Sequence, residues 1–531
     1  MTADRCVLCL LACLTAADSS AGAEFADLFN GSNTQGWSKP FDWGRVRVED
    51  EQLILSGSPK YFLVTERRFR DFELQLELNV PIGGNSGVQF RCHFRRNRLW
   101  GYQAEVDTSD RKWSGGLYEE GRRGWLVPLK GRPAAQAAFQ NGKWNHYRIR
   151  AVGDHIQIWV NGIQTVDHHD AVDREGYIAL QHHGEPGKVY RFRNVRIQEI
   201  AAPLVVSRIG LGSCVRQDRP QPIWTAVRAF QPELFVMLGD NIYGDSEDMH
   251  VLRTKYQQLG ADPGFAALRK LCPLLAVWDD HDYGVNDGGA EYPRKKESQA
   301  LFNDFFEVPQ GNDRRRRPGT YDAQVIGPTG KRIQFILLDT RYFRSPLKAW
   351  PKDARGTPGP YRPHDDPQAT VLGAAQWKWL EEQLQVPAEL RIVASSIQFI
   401  PEQHGWEMWA NFPRDRQRFL DLLARHRTGG VILISGDRHL AEISRMETGP
   451  ATSRFPIYDL TSSSLNTPSG GGNEQEANKH RVAGNHYPLV NFGSVVIDWK
   501  QADPAITLSI HDLDGAAVRR HRLSLGSLRS P

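Results

Sequence analysis

Along residues 72–79, Phe72, Leu74, Leu76 and Leu78 alternate with Glu73, Gln75, Glu77 and Asn79. That is the period of a strand with one buried face. Val88, Phe90, Cys92 and Phe94 repeat it, as do Ile156, Ile158 and Val160, which Asn161-Gly162 then follows as a hairpin turn. No helix-period run interrupts residues 24–201, so this part is expected to be all β, a sandwich or jelly roll.

The pattern changes after Ala201-Ala202-Pro203. Short apolar runs now alternate with helical segments. The runs are Ile209–Gly212, Phe235–Leu238, Leu274–Trp278, Ile333–Leu338, Arg391–Gln398 and Val431–Ser435. The helical segments are Ile223–Phe230, Met249–Leu259, Lys295–Phe306, Gln376–Leu384 and Asp415–His426. From Ile457 the chain returns to short β runs. A layered α/β domain is expected over residues 203–531, after a β domain over 24–202.

A chain of 531 residues fits this division, being too long for one ordinary core. The 66 basic and 62 acidic residues nearly balance, which points to neither a nucleic acid nor an anionic membrane as partner. The basic run Arg314–Arg317 reads as a solvated loop that could steer an anionic substrate. Residues 1–23 carry a short apolar core and small residues up to Ala21-Gly22-Ala23, the pattern of a cleaved secretory signal. Leu10-Leu11-Ala12-Cys13 leaves lipidation at Cys13 as the alternative. An exported protein without a transmembrane helix is expected. Of the six cysteines only Cys92, Cys214 and Cys272 follow that segment, which is no disulfide framework.

Candidate chemistry gathers at the ends of the apolar runs. Gly239-Asp240 closes the second run, with Tyr243 three residues on. Cys214 closes the first, Asp279-Asp280-His281-Asp282 the third, and Gly436-Asp437-Arg438-His439 the last. One strand-end Asp is usually a cap or turn former. Four polar strand ends in one α/β domain, where such sheets place their chemistry, point instead to a shared site. Asp437 and His439, two apart in an extended segment, can serve neighbouring ions.

Gly-Ser-Cys214, Gly-Asp240-Asn-Ile-Tyr243-Gly-Asp, Trp278-Asp-Asp280-His281-Asp282-Tyr-Gly-Val-Asn286-Asp and Gly-Asp437-Arg-His439, taken in order, resemble the alkaline phosphatase D family of calcineurin-like metallophosphoesterases. The resemblance implies a binuclear centre that hydrolyses phosphomonoesters or phosphodiesters through a metal-bridging hydroxide. It implies Fe(III) on Cys214, Asp240, Tyr243 and His439, and a divalent ion, Ca(II) in the first instance, on Asp240, Asp280 and Asp437. A further ligand is expected from Ser396 or Gln398, where related enzymes carry a histidine. His281 is the expected general acid, oriented by Asp282. Asn286, His404 and Trp406 are expected near substrate, and Gly470-Gly471-Gly472 as a lid.

In the β part, Leu28-Phe29-Asn30-Gly31, Gly83-Gly84-Asn85-Ser86-Gly87, Tyr102–Asp107 and Trp159-Val160-Asn161-Gly162 resemble the 3-keto-disaccharide hydrolase domain family, a concanavalin-like sandwich. Glu105, Asp107 and Glu119 are its candidate acids, and Trp100, Tyr102, Trp113 and Trp125 its candidate sugar platforms. The plainer reading makes all of these solvated strand carboxylates and core aromatics. His168-His169 and His182-His183 read as surface features, because neighbours on a strand face opposite ways. The sandwich is expected to recognise carbohydrate. The alternatives are that it acts on glycosides itself, or that the whole chain is a carbohydrate-binding surface protein.

Overall fold

The computed structural model describes residues 24–200, 204–448, 455–469 and 476–529. The expected signal and Cys13, the Ala201-Ala202-Pro203 junction and the Gly470–Gly472 lid lie outside the described residues. The described chain forms two compact units, residues 24–200 and 204–529.

The first unit is a β-sandwich. One sheet orders its strands Ile163–His169, His155–Val160, Asn145–Val152, Phe72–Asn79, Val189–Glu199, Gln52–Ser56 and Arg45–Glu49. The other runs Gly124–Val127, Leu117–Glu120, Arg98–Asp107, Asn85–Arg95, Tyr177–His182, Tyr61–Thr65 and Trp37–Ser38. Phe72–Asn79 and Asn145–Val152 alternate buried and half-buried positions along their length. Their inward residues Leu74, Leu76 and Ile149 join Val88, Phe90, Ile158 and Phe192 in one core. Cys92 is buried there as expected. Asn161 (φ 49°) and Gly162 (φ 84°) form the hairpin turn, both left-handed as a tight two-residue connection requires. The single helical turn Pro133–Gln136 is the one described departure from β structure in this unit, too short for a hydrophobic period to reveal.

The second unit packs two mixed sheets between helices. The first orders Leu274–Val277, Leu234–Leu238, Arg208–Gly212, Phe492–Asp498, Ala505–His511 and Ala517–Ser524. The second orders Asp322–Ile326, Ile333–Leu337, Leu390–Ala394, Val431–Ser435, Pro456–Ser462, Ala441–Glu447 and Arg481–Tyr487. Within each sheet the strands leading to the candidate residues are parallel, Leu211 lying beside Val236, Val236 beside Leu275, and Ile392 beside Ile432. Buried on both faces, they read as unbroken apolar runs such as Leu234–Leu238 and Val431–Ser435. Leu211, Val236, Val277, Phe335, Ile392, Ile434 and Leu460 form the core between the sheets. Helices Ile223–Phe230, Pro263–Leu271 and Lys295–Phe305 cover the outer face of the first sheet through Trp224, Phe265 and Phe302. Helices Gly373–Leu384 and Pro413–Arg425 cover the second through Trp377, Leu380 and Phe419. Helix Pro263–Leu271 is absent from the hydrophobic reading. Its start signal is Asp262, whose carboxylate accepts from the Gly264 and Phe265 N–H groups, followed by Pro263 at the first position.

Two glycines let the sheets converge at their carboxyl ends. A Cβ on Gly239 would stand 2.5 Å from Cβ of Asp279, and one on Gly436 would stand 2.5 Å from Oγ of Ser213. The Gly-Asp motifs therefore combine a close backbone approach with the carboxylate that follows. Among the described residues no helix is long and apolar enough to cross a membrane.

Candidate metal centre

Cys214, Asp240, Asp437 and His439 all have positive φ, at 57°, 50°, 68° and 55°. Cys214, Asp240 and Asp437 each lie two residues past the end of a core strand, and His439 two residues beyond Asp437; non-glycine residues enter the positive-φ region at a cost that clusters at functional sites. The bends turn the four side chains toward one another. Sγ of Cys214 lies 3.2 Å from Oδ2 of Asp240 and 3.0 Å from Oγ of Ser463. The Tyr243 hydroxyl is 3.5 Å from Asp240 Oδ2 and 3.4 Å from His439 Nε2. Nδ1 of His439 faces the carbonyl of Thr467, which leaves Nε2 toward the site. Cys214, Asp240 and His439 thus offer three ligand atoms within 4.8 Å of one another.

A second group shares Asp240. Asp240, Asp279, Asp280 and Asp437 each offer a carboxylate oxygen, again within 4.8 Å of one another. Like charges this close repel by at least about 3 kcal/mol per pair at an effective dielectric constant of about 20. Burial, and then the neighbouring carboxylates, hold Asp240 well above the usual carboxylate range. Burial and Asp280 push Asp437 up to about 7. Burial likewise raises Asp279, against the pull of Arg341. Asp280 is buried too, yet Arg341 and the His281 imidazole hold it below the usual range.

Two carboxylate oxygens, Oδ1 of Asp240 and Oδ2 of Asp279, are buried without a hydrogen-bond partner among the described residues. Buried polar atoms are rarely left so. The donor set fits two cations sharing Asp240. One neighbourhood offers thiol, phenol, imidazole and carboxylate, and the other carboxylates alone. The first suits a transition ion, and the oxygen-only set a hard one.

Several supporting residues differ from the sequence expectation. Nδ1 of His281 pairs with Asp245 at 2.6 Å, and not with Asp282. Burial opposes charge on His281, but Asp280 and Asp245 outweigh it and raise the imidazole to about 9. Asp282 instead accepts from the N–H groups of Asp279 at 2.7 Å and Asp240 at 3.1 Å, and from Asn241. It fixes the backbone that presents Asp240 and Asp280. Asn286 bonds Asp287, and the Asp287 N–H is what holds Asp280 Oδ2, at 2.7 Å. The Gln398 amide nitrogen donates to Glu442 at 2.9 Å and Thr461 at 2.8 Å, while its Oε1 is buried without a hydrogen-bond partner among the described residues. Ser396 donates to Asp279 Oδ1. Asp279 joins the second set as a carboxylate to which the sequence reading gave no such role.

Asp279 and Asp245 stand in the sequence motifs without an assigned role, and Arg341 is absent from that reading. Arg341 is fully buried, with Nε 2.6 Å from Asp279 and Nη1 2.6 Å from Glu407. Arg344 meets the same Glu407 at 2.8 Å. His404 is buried, its Nδ1 accepting from the Trp406 N–H and its Nε2 unpartnered among the described residues. Trp406 is 46% exposed, with the Arg438 guanidinium 5.5 Å from its ring.

In the sandwich, Glu119 is fully buried and ion-paired with Arg122 and Arg123, and Asp107 is bonded by Arg111 at 2.8 Å. Neither is a free acid. Glu105 differs: it is buried, accepts from Asn85 and Gln103 at 2.8 Å each, and is raised by burial. It lines a cavity of about 220 Å³ with Lys60, Tyr118, Trp125 and Gln181. Trp113 packs edge-on against Trp125, Trp100 stacks on His93, and Tyr102 stacks on Phe90 in the core. His182 is buried between Tyr61 and Tyr190, a core residue and not the expected surface one, whereas His183 is half-exposed beside Glu185.

The family model for PhoD-like phosphatases matches residues 213–505, and that for the 3-keto-alpha-glucoside-1,2-lyase-like domain matches residues 24–198. Alkaline phosphatase D of Bacillus subtilis (strain 168) is 23% identical over 362 residues, which are 56% of this chain and 59% of that protein. The chain therefore spans about three-fifths of that relative's length. The solved structure of PhoD aligns over 94% of this chain and 93% of its own, at 13% identity and a TM-score of 0.45. A putative glycosyl hydrolase from Parabacteroides distasonis aligns over 33% of this chain and 94% of its own, at 18% identity and a TM-score of 0.26.

Proposed function

The chain belongs to the PhoD-like phosphatase family, and from that premise we propose that it is an exported phosphoesterase whose two cations are held by the strand-end residues of residues 204–529. The observation that carries this reading is the pair of orphaned oxygens on Asp240 and Asp279, set among four buried carboxylates beside Cys214 and His439. Cys214, Asp240, Tyr243 and His439 would hold a trivalent iron, for which phenolate and thiolate are suitable charged donors. Asp240, Asp279, Asp280 and Asp437 would hold a divalent hard ion, Ca(II) in the first instance. When bound, the cations supply Lewis acidity for water activation and neutralise charge on the phosphoryl oxygens.

The protein's own groups then have distinct tasks. In the metal-free protein Asp280 and Asp245 outweigh burial and favour the charged His281 ring; with Asp280 engaged by a cation, Asp245 is the carboxylate that would keep the proton on it. The proposed task of His281 is to give that proton to the departing alkoxide, a role typically worth ~10²–10⁴-fold. Asp245 orients the ring and Asp282 holds the loop that carries it. Arg341 fixes Asp279 from behind. Trp406, exposed beside Arg438, is the proposed contact for the substrate's leaving group.

The test is hydrolysis of an aryl phosphodiester and an aryl phosphomonoester, with and without chelator, by the wild type and by Asp240→Asn. Chelator-sensitive turnover that Asp240→Asn abolishes supports the reading, and the diester-to-monoester ratio sets the substrate class. Activity indifferent to both perturbations would sink it.

A second reading concerns the sandwich, and the Glu105 cavity favours it. A buried carboxylic acid beside Trp125 and amide side chains suits recognition of a sugar ring. Residues 24–200 would then bring the phosphoesterase to a carbohydrate-containing substrate, or act on glycosides themselves. Binding of a sugar that Glu105→Gln weakens, with or without bond cleavage, separates the two.

A further inference from the structure

Ile163–His169 is the edge strand of its sheet and pairs antiparallel with His155–Val160. The register sets His155 directly opposite His169 and Gln157 opposite Asp167. All four point to the outer face, because Ile156, Ile158 and Val166 take the core. The two imidazoles lie 4.4 Å apart and nearly parallel, at 3°. Nε2 of His155 is 2.8 Å from Oδ1 of Asp167. The second oxygen of Asp167 is held by Gln157 and Gln164, each at 3.0 Å. Asp154 faces Nδ1 of His169 at 3.2 Å, which leaves Nε2 of that ring without a hydrogen-bond partner among the described residues. His155, Asp167 and His169 offer three ligand atoms within 4.8 Å of one another.

We propose that His155, Asp167 and His169 bind one borderline transition-metal ion of the zinc class on the outer face of the sandwich, apart from the phosphoesterase centre. Two imidazoles and a carboxylate, with water in the fourth position, are an ordinary tetrahedral set for such an ion. To admit the ion, the two imidazoles turn about their Cβ–Cγ bonds out of the parallel stack so that each ring's lone pair meets it, and the ion takes the place of the proton that now links His155 to Asp167. Each supporting contact has a matching function. The glutamines aim Oδ1 of Asp167 inward, and Asp154 fixes the tautomer of His169, as carboxylates behind metal-bound histidines do. The ligands come from both strands, so the ion clamps a sheet edge that is otherwise open on one side. His168-His169 cannot chelate as sequence neighbours. The cross-strand partner, fourteen positions away in sequence, makes the site.

The test is zinc competition against a chromogenic chelator, on the full-length protein carrying its own metals at neutral pH. The wild type is expected to hold one equivalent more than His155→Gln/His169→Gln, and the same difference is expected in an Asp240→Asn background. Asp154→Asn is expected to weaken that equivalent by ~10-fold. Zinc is also expected to raise the unfolding temperature of the sandwich in the wild type only. Equal zinc stoichiometry in wild type and double variant would overturn the proposal. Should the double variant fail to fold, His169→Gln and Asp154→Asn provide the same comparison, and affinity unchanged in both would overturn it equally.

Discussion

Asp437 gives the sharpest stability prediction, because its carboxyl is raised from 3.8 to about 7 by burial and by Asp280. In metal-free protein the folded state keeps this proton across a range where the unfolded chain has released it. The folded state binds more protons between about pH 4 and pH 7, so stability falls as pH rises through that window. A difference of about 3 pKa units corresponds to about 4 kcal/mol. Asp437 keeps some contact with solvent, so this is an upper bound. Asp437→Asn cannot ionise and removes the loss. The assay is urea unfolding of chelated wild type and variant at about pH 4 and about pH 7.5, following the transition of the metal-bearing unit. The variant is expected to be about as stable as the wild type at the lower pH and more stable at the higher, by up to about 4 kcal/mol. Cation loading is expected to reverse that order, since only the wild type has its full ligand set. Parallel stability profiles for the two chelated proteins would refute the view that these carboxylates are mutually repulsive and await a cation.

Three other perturbations follow from the same contacts. Asp245→Asn removes a carboxylate that stabilises the His281 imidazolium; its pKa falls, so the alkaline limb of the rate profile should move to lower pH and kcat should drop by ~10-fold or more, read from kcat against pH. Arg341→Met leaves Asp279 buried without its cation and Glu407 with Arg344 alone, and is expected to cost about 3–5 kcal/mol by denaturant unfolding. In the sandwich, burial of Asp170 is outweighed by Arg123 and Tyr102, which hold it at about 2; its contribution is complete above about pH 4 and lost as pH falls toward 2, so Asp170→Asn should flatten acid unfolding of that unit.

The strand-end ligands were legible because a parallel strand buried on both faces writes itself as an apolar run, and the residue after the run inherits the site. Cys214, Asp240, Asp437 and His439 announce themselves this way, and the structure brings them together. The residues missed depend on information that the pattern does not hold. Asp279 and Asp280 are adjacent carboxylates after one strand, and only the position of Arg341 and Ser396 shows that Asp279 is fixed beside the others with one oxygen left over. Asp245 reaches His281 from a different loop, at a distance in sequence that no local period encodes. Asp282 looked like a partner of its neighbour, but one turn of helix at Asp280–Tyr283 turns its carboxylate back onto backbone N–H groups. In the sandwich, alternation gave the buried face of each strand, whereas strand register, which pairs His155 with His169, is fixed only by the folded hairpin.

The central claim is that the carboxylate cluster and the Cys214–Tyr243–His439 group hold metal ions. Its most direct test is elemental analysis of the protein, purified without chelator, with its visible spectrum, beside Asp240→Asn and Tyr243→Phe. The account predicts iron together with a divalent ion in the wild type, loss of both in Asp240→Asn, and a phenolate-to-iron absorption that Tyr243→Phe removes while iron remains. A folded wild type that carries neither ion, and takes up neither when iron and calcium are supplied, would contradict it.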